Sequence, residues 1–268
     1  MIRAVRSNSP DVEIRAWARR PEIVERLRDE EGLGSGATNS LREAIAGADC
    51  IVLAMPTGAM AAVVGQFDGF PADSDVLVTD VGSVKSSVEA DVGNLVRSLG
   101  ARFIGSHPMA GSEKAGLVHA DEHLFEDAPV ILTPQGDDED SRALGQLSDF
   151  WIALGARVST MSPAEHDTLV ASISHLPHLV AAALVKMVMG SNEQAGKFCG
   201  GGFRDTTRVS AGLEEMWSGI LVDNQEAVSD QLGAFIAELG KWKEVIDSLD
   251  RDQLRRFLSQ ARTLRESL

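Results

Sequence analysis

Cys50-Ile51-Val52-Leu53-Ala54-Met55 is an unbroken apolar run, stopped by Pro56-Thr57. A short run without polar alternation reads as a strand buried on both faces of a parallel sheet. A second such run, Asp75-Val76-Leu77-Val78-Thr79-Asp80-Val81, ends at Gly82-Ser83. Helical segments follow each, over residues 57–66 and from Val84 to about Leu99. Further strands are expected at Arg102-Phe103-Ile104, at 129–133 and at 156–160, with a helix from Asp140 to Leu154. Toward the amino end, residues 12–18 alternate apolar and polar and read as a strand. A helix follows from Pro21 to about Glu31, then a loop over Gly32–Gly36, then a short helix capped by Ser40 with Glu43 three residues on. Such alternation of strand and helix implies a doubly wound, largely parallel α/β sheet.

At Ser162-Pro163-Ala164-Glu165 the pattern changes. Serine with glutamate three residues on makes a capping box, and proline suits the first helical position. Beyond it only helices are expected: one to about Met189, kinked at Pro177, then 206–211, 214–221, 224–249 and 250–268. Val228, Leu232, Phe235, Ile236 and Leu239 recur at helical spacing. The expected division is therefore a sheet domain over residues 1–161 and an all-α domain over 162–268.

The bulk composition narrows the function. A net charge of −15 argues against nucleic-acid or anionic-membrane partners, which require basic surface. Cys50 and Cys199 are too few and too far apart for a disulfide framework or a metal site, and Cys50 is expected to be a buried thiol in its strand. No apolar run is expected to span a membrane, and the first residues lack the long apolar core of a secretory signal. A cytoplasmic protein acting on a small molecule is expected, with no metal.

A doubly wound dinucleotide fold opens with a strand, a glycine-rich turn and a helix. Here the strand at 12–18 occupies the place of the second, and Ile2–Arg6 looks like the end of the first helix. No G-x-G-x-x-G follows any strand, so the expectation is a sheet lacking its first strand and phosphate loop. The strand at 12–18 ends in Ala18-Arg19-Arg20 and carries no acid for a ribose hydroxyl. Arg19 and Arg20 suit a 2′-phosphate, which favours NADP over NAD; solvated arginines before a helix are the plainer alternative.

Strand ends at Met55-Pro56-Thr57, at Gly82-Ser83-Val84-Lys85 and at Ser106-His107-Pro108 are expected to converge, as ligand sites do in open α/β sheets. The helical half adds His175 and His178, three residues apart, and Arg204 and Arg208, four apart. Either arginine suits a carboxylate clamp, and the Gly200-Gly201-Gly202 run reads as a flexible turn.

H-P-M-A-G-S-E at 107–113, G-S-V-K at 82–85, S-H-L-P-H at 174–178 and G-G-F-R-D-T-T-R at 201–208, in this order, resemble the prephenate/arogenate dehydrogenases of tyrosine biosynthesis. The resemblance implies a Rossmann-like domain followed by a helical domain that forms a homodimer. It implies hydride transfer from ring carbon C4 to NADP or NAD, coupled to loss of carbon dioxide. It also implies that His107 accepts a hydrogen bond from the ring hydroxyl, that Ser83 orients His107, and that Arg208 binds a substrate carboxylate. By the same resemblance His178 lines the substrate pocket, Ser112 and Glu113 shape its entrance, and Met55, Pro56, Thr57 and Ser83 face the cofactor. Prephenate and arogenate both remain open as substrates. A non-catalytic dimeric binding protein and a hydroxy-acid dehydrogenase are the rival readings. The absent glycine loop favours the first; a hydroxy-acid enzyme would use a helical-domain lysine, and Lys186 has no such motif around it.

Overall fold

The computed structural model describes residues 1–71, 74–111, 116–136, 142–191 and 194–268. The elements run α1 (Ile2–Asn8), β1 (Ala16–Trp17), α2 (Pro21–Asp29), β2 (Ala37–Thr38), α3 (Leu41–Ile45), β3 (Cys50–Leu53), α4 (Thr57–Val64) and β4 (Leu77–Asp80). Then come α5 (Ser86–Val88), a π-helical turn Glu89–Gly93, α6 (Asn94–Ser98), β5 (Arg102–Phe103), β6 (Gly105–Pro108), β7 (Pro129–Thr133), α7 (Arg142–Ala153) and β8 (Arg157–Thr160). The helical half holds α8 (Pro163–Val170), a second π-helical turn Ala171–His175, α9 (Leu176–Ser191), α10 (Ala195–Phe198), α11 (Gly201–Thr207), α12 (Glu214–Asp223), α13 (Gln225–Asp247) and α14 (Arg251–Glu266).

Strand pairing is parallel for β1 with β2, for β3-β4-β5 and for β7 with β8, and antiparallel for β6 with β7. The antiparallel step departs from the expected strand at 102–104. The chain stays extended beyond Ile104, whose N–H still bonds Val78 O of β4 at 3.2 Å. It then leaves β4 and aligns against β7, so His107 lies within a strand, opposite Ile131. At the parting point the Asp80 carboxylate accepts the Ser106 N–H at 3.3 Å, replacing the missing ladder bond.

The two larger of three buried apolar clusters flank these strands. One packs Leu53, Met60, Val64, Val78, Val92, Val96 and Phe103 under α4 to α6. The other gathers Ala4, Val5, Ile104, Val130, Leu132, Leu147 and Trp151 beneath α1 and α7. Removing fully buried side chains of this size typically costs ~2–5 kcal/mol each. β4 is buried along its whole length, as its sequence implies.

β3 is not buried as expected. Cys50 is exposed and Ile51 and Val52 are half-buried, because among the described residues β3 pairs only with β4, leaving its other edge open. The Gly34–Gly36 stretch forms a 3₁₀ turn that leads straight into β2, a strand too short for any periodicity to reveal. Ser162 and Glu165 form the complete capping box. Ser40 accepts the Glu43 N–H at 3.3 Å, but the Glu43 carboxylate turns to the Thr38 hydroxyl, so only half of that box exists. Gly201 and Gly202 open α11 and do not form a free turn.

Residues 163–191 run as one helix with the π turn just before Pro177. The wider turn absorbs the place where proline lacks an N–H donor. This helix is long and apolar enough to cross a membrane by length and composition alone, a test that the core helix of a soluble protein also passes. Its buried polar residues His166, Asp167, His175 and His178 instead build the crevice described next.

Candidate active site

The end of β4 and the residue that precedes α5 bring a buried ion pair to the floor of the sheet's carboxyl edge. Asp80 and Lys85 are 0% and 1% exposed and in direct contact. Lys85 Nζ also donates to Ser106 O at 2.8 Å, and Gly82 N–H donates to Asp80 Oδ2 at 2.8 Å. Burial pulls Lys85 below the ordinary lysine range, and the Asp80 carboxylate opposes that shift. Gly105 makes room for the pair: a Cβ there would lie 2.6 Å from Thr133 Oγ1 and 3.1 Å from Lys85 Cδ. Thr79 and Ser106 share a hydroxyl hydrogen bond of 2.7 Å, and Trp151 Nε1 donates to Ser106 Oγ at 3.1 Å, which anchors β6 to both neighbours.

His107 projects from β6 toward the helical half. Its Nδ1 lies 2.8 Å from His166 Nε2, and His166 Nδ1 lies 2.8 Å from Asp167 Oδ1. Asp167 in turn accepts the backbone N–H groups of Lys85 and Ser86, each at 2.8 Å. The same residue thus ties α8 to the amino end of α5. His107 is held well below the ordinary histidine value, first by burial, then by Lys85, His166 and His175, with Asp167 opposing. It is neutral near pH 7.

His175 and His178 both meet the Trp217 ring, as their spacing suggests. His175 stands edge-on to it with centroids 6.1 Å apart, and His178 stacks on it at 3.5 Å. Asn224 Nδ2 donates to Asp167 O at 2.8 Å and lies 3.2 Å from His175 Nδ1. His175 Nε2 and His178 Nδ1 are buried without a hydrogen-bond partner among the described residues. Burial lowers His175 to about 4 and also lowers His178. Gly212 is required beneath the stack, since a Cβ would meet Trp217 Nε1 at 2.3 Å.

Met55, Pro56 and Thr57 turn from β3 directly into α4, and Thr57 Oγ1 donates to Asp223 Oδ2 of the helical half at 2.7 Å. Ser83 follows β4, half-buried, with no hydrogen bond to His107 among the described residues; His166 is the side chain that orients His107 here. Arg208 is exposed and opens the 3₁₀ turn Arg208–Ala211 packed beside α9. Arg19 and Arg20 are exposed after β1, and Arg20 Nε lies 3.8 Å from Glu22 Oε1. Ser112 and Glu113 lie outside the described residues. Sequence reasoning did not single out His166, Asp167, Trp217 or the Asp80–Lys85 pair.

A Rossmann-like sheet whose strand ends face a helical half across a buried neutral histidine is the architecture of a two-domain nicotinamide-dependent dehydrogenase. Residues 1–160 match the nucleotide-binding domain of prephenate dehydrogenase, and residues 162–260 match its dimerization domain. The cyclohexadienyl dehydrogenase of Zymomonas mobilis is 34% identical over 272 residues, covering 99% of this chain and 90% of that protein. The prephenate dehydrogenase of Bacillus subtilis is 35% identical over 221 residues, covering 81% of this chain and 59% of that protein. The crystal structure of the Aquifex aeolicus prephenate dehydrogenase with hydroxyphenyl propionate and NAD+ superposes with a TM-score of 0.90 at 30% identity, covering 99% of this chain and 92% of that one. The chain belongs to the prephenate dehydrogenase family.

Proposed function

We propose that this chain oxidatively decarboxylates prephenate or arogenate, which share a cyclohexadienyl ring. The observation that carries the reading is His107: buried, neutral, and bonded through Nδ1, so that Nε2 is left to face a substrate. Neutral imidazole is the form that accepts the ring hydroxyl's proton. As that O–H breaks, its electron pair forms the ring carbonyl while the C4–H bond breaks and its hydrogen leaves as hydride, for which NAD(P) would be the acceptor. The C1–carboxylate bond then breaks with loss of carbon dioxide, its electron pair passes through the ring to the carbonyl oxygen, and return of the proton from His107 leaves an aromatic ring bearing a phenol hydroxyl. Arg208 binds a substrate carboxylate, and His178 with Trp217 forms a flat wall against the substrate. Ser83 contacts both substrate and cofactor.

The strand ends fit a nicotinamide dinucleotide. Ala54, Pro56, Gly58 and Ala59 leave an open shelf of small side chains at the start of α4. At Gly82 a Cβ would lie 2.9 Å from both Asp80 Oδ2 and Thr57 Cγ2, so the backbone there is already closely packed. When bound, NAD(P) supplies the hydride acceptor. Met55, Pro56, Thr57 and Ser83 hold its nicotinamide end. Arg19 and Arg20 receive the ribose phosphate of NADP; the Glu22 carboxylate beside Arg20 is the feature that favours NAD instead.

The division into a cofactor domain over 1–161 and a helical domain over 162–268 follows the same reading. Ile173, Met187, Ile236, Leu239 and Ile246 are large apolar side chains left exposed on the helical half. Their burial against a second copy forms the homodimer, consistent with the dimerization domain matched there. A cytoplasmic place of action accords with a biosynthetic reaction on soluble substrates.

Arg208→Ala is expected to raise KM for the substrate about 10- to 100-fold, the worth of a charge-assisted hydrogen bond, with kcat less affected. Steady-state kinetics on the purified chain checks this. An unchanged KM removes Arg208 from the carboxylate site.

A further inference from the structure

We infer that His166 and Asp167 are positioning residues that fix the tautomer of His107, through a continuous Asp167–His166–His107 hydrogen-bond chain. The inference rests on the reading of His107 as the proton acceptor. Its warrant is the directionality of the chain. Asp167 is buried, which favours its neutral form, yet its bonds to His166 and to the Lys85 and Ser86 backbone hold it below the ordinary carboxylate range. A carboxylate only accepts, so His166 Nδ1 carries the proton at the 2.8 Å contact. His166 Nε2 is then a bare acceptor, and His107 Nδ1 carries the proton of the second 2.8 Å contact. His107 Nε2 is left with a free lone pair, the state needed to accept a hydroxyl proton.

Reversing any member would put a proton on Nε2 and block acceptance. When His107 takes the proton, the chain also carries the new positive charge toward Asp167 without moving a heavy atom. The charged and titratable groups around His107 are Lys85, which is bonded to Asp80, together with His166, His175 and Asp167. Because α8 brings both His166 and Asp167, and Asp167 is bonded to α5 backbone, the tautomer is set only when the two halves of the chain are docked.

The test compares His166→Ala with His166→Gln in the full chain. The glutamine carbonyl can still accept the His107 Nδ1 proton, and alanine cannot. The alanine variant is expected to lose about 10²- to 10⁴-fold in kcat, as for a histidine left in the wrong tautomer. Its substrate KM and cofactor affinity stay within a few-fold, and the acid limb of its pH profile moves up as water reaches His107. The glutamine variant is expected to regain about tenfold or more of the lost kcat. Equal kcat in wild type and alanine variant, or no difference between alanine and glutamine, overturns the inference. Histidine side-chain nitrogen NMR on the wild-type chain gives a second readout independent of activity and of variant folding. A His107 protonated at Nδ1 is expected, and protonation at Nε2 overturns the inference. Absence of dehydrogenase activity with the expected tautomer present would count against the functional reading alone.

Discussion

His107→Asn lowers turnover about 10²- to 10⁴-fold, the range for loss of a positioned general base, and leaves cofactor affinity within a few-fold. Asparagine retains a polar group near the ring's Nδ1 position and so keeps a bond to His166, but it ends short of Nε2. The substitution therefore removes the acceptor without emptying the site. The pH dependence has a definite sign. Protonation removes the lone pair that accepts the substrate hydroxyl, so activity falls on the acid side. The folded protein holds His107 well below its ordinary value, by burial first and then by Lys85, His166 and His175. The acid limb of kcat/KM is accordingly expected below the ordinary histidine value of about 6.5. Kinetics of both proteins across pH check the two statements together. Unchanged turnover in the variant removes His107 from the mechanism, and an acid limb at or above the ordinary value contradicts its neutral, buried state.

Lys85→Met is expected to destabilise the fold by ~3–5 kcal/mol, the cost of leaving one member of a buried ion pair uncompensated. Asp80 is fully buried, and after the change the donors left to its carboxylate among the described residues are the Gly82 and Ser106 backbone N–H groups. The Ser106 carbonyl also loses its ammonium donor. Adding Asp80→Asn removes the orphaned charge, so the double variant is expected to recover part of the loss. Urea unfolding of the variants measures both effects. A single variant destabilised by less than ~1 kcal/mol would show that water reaches the pair. The consequence extends to function, because β6 carries His107 and its carbonyl and amide at Ser106 are held by this pair.

Where side-chain pattern alone determines structure, the chain was legible. The apolar run around Val78 became a fully buried strand, and Pro129–Thr133 formed β7 at the expected bounds. The Ser162–Glu165 box marked the start of the helical half. What was not legible depends on distant neighbours. The apolar sequence of β3 implies burial on both faces, but burial depends on a second strand partner that the described residues do not supply. β2 is only Ala37–Thr38, and the antiparallel turn of β6 depends on Asp80 replacing a ladder bond. Helical periodicity also does not distinguish a π turn from an α turn, so from sequence Pro177 implies a kink and the wide turn before it stays hidden.

The site divides in the same way. His107 and His178 sit in short motifs and were found from them. His166 and Asp167 follow a capping box on an ordinary-looking helix, and their role exists only through contacts with β6 and α5 across the fold. Trp217 is separated from His178 by a long stretch of chain, and only the fold brings the two rings into a stack. Lys85 lies inside a recognised motif, yet nothing local announces that it is buried against Asp80.

The most direct test supplies the purified chain with prephenate or arogenate, and with NAD+ or NADP+, and follows reduced nicotinamide and carbon dioxide together. The account predicts that at least one pairing is turned over, with the two products formed in equal amounts. Reduced cofactor without carbon dioxide, or neither product from any pairing, contradicts it.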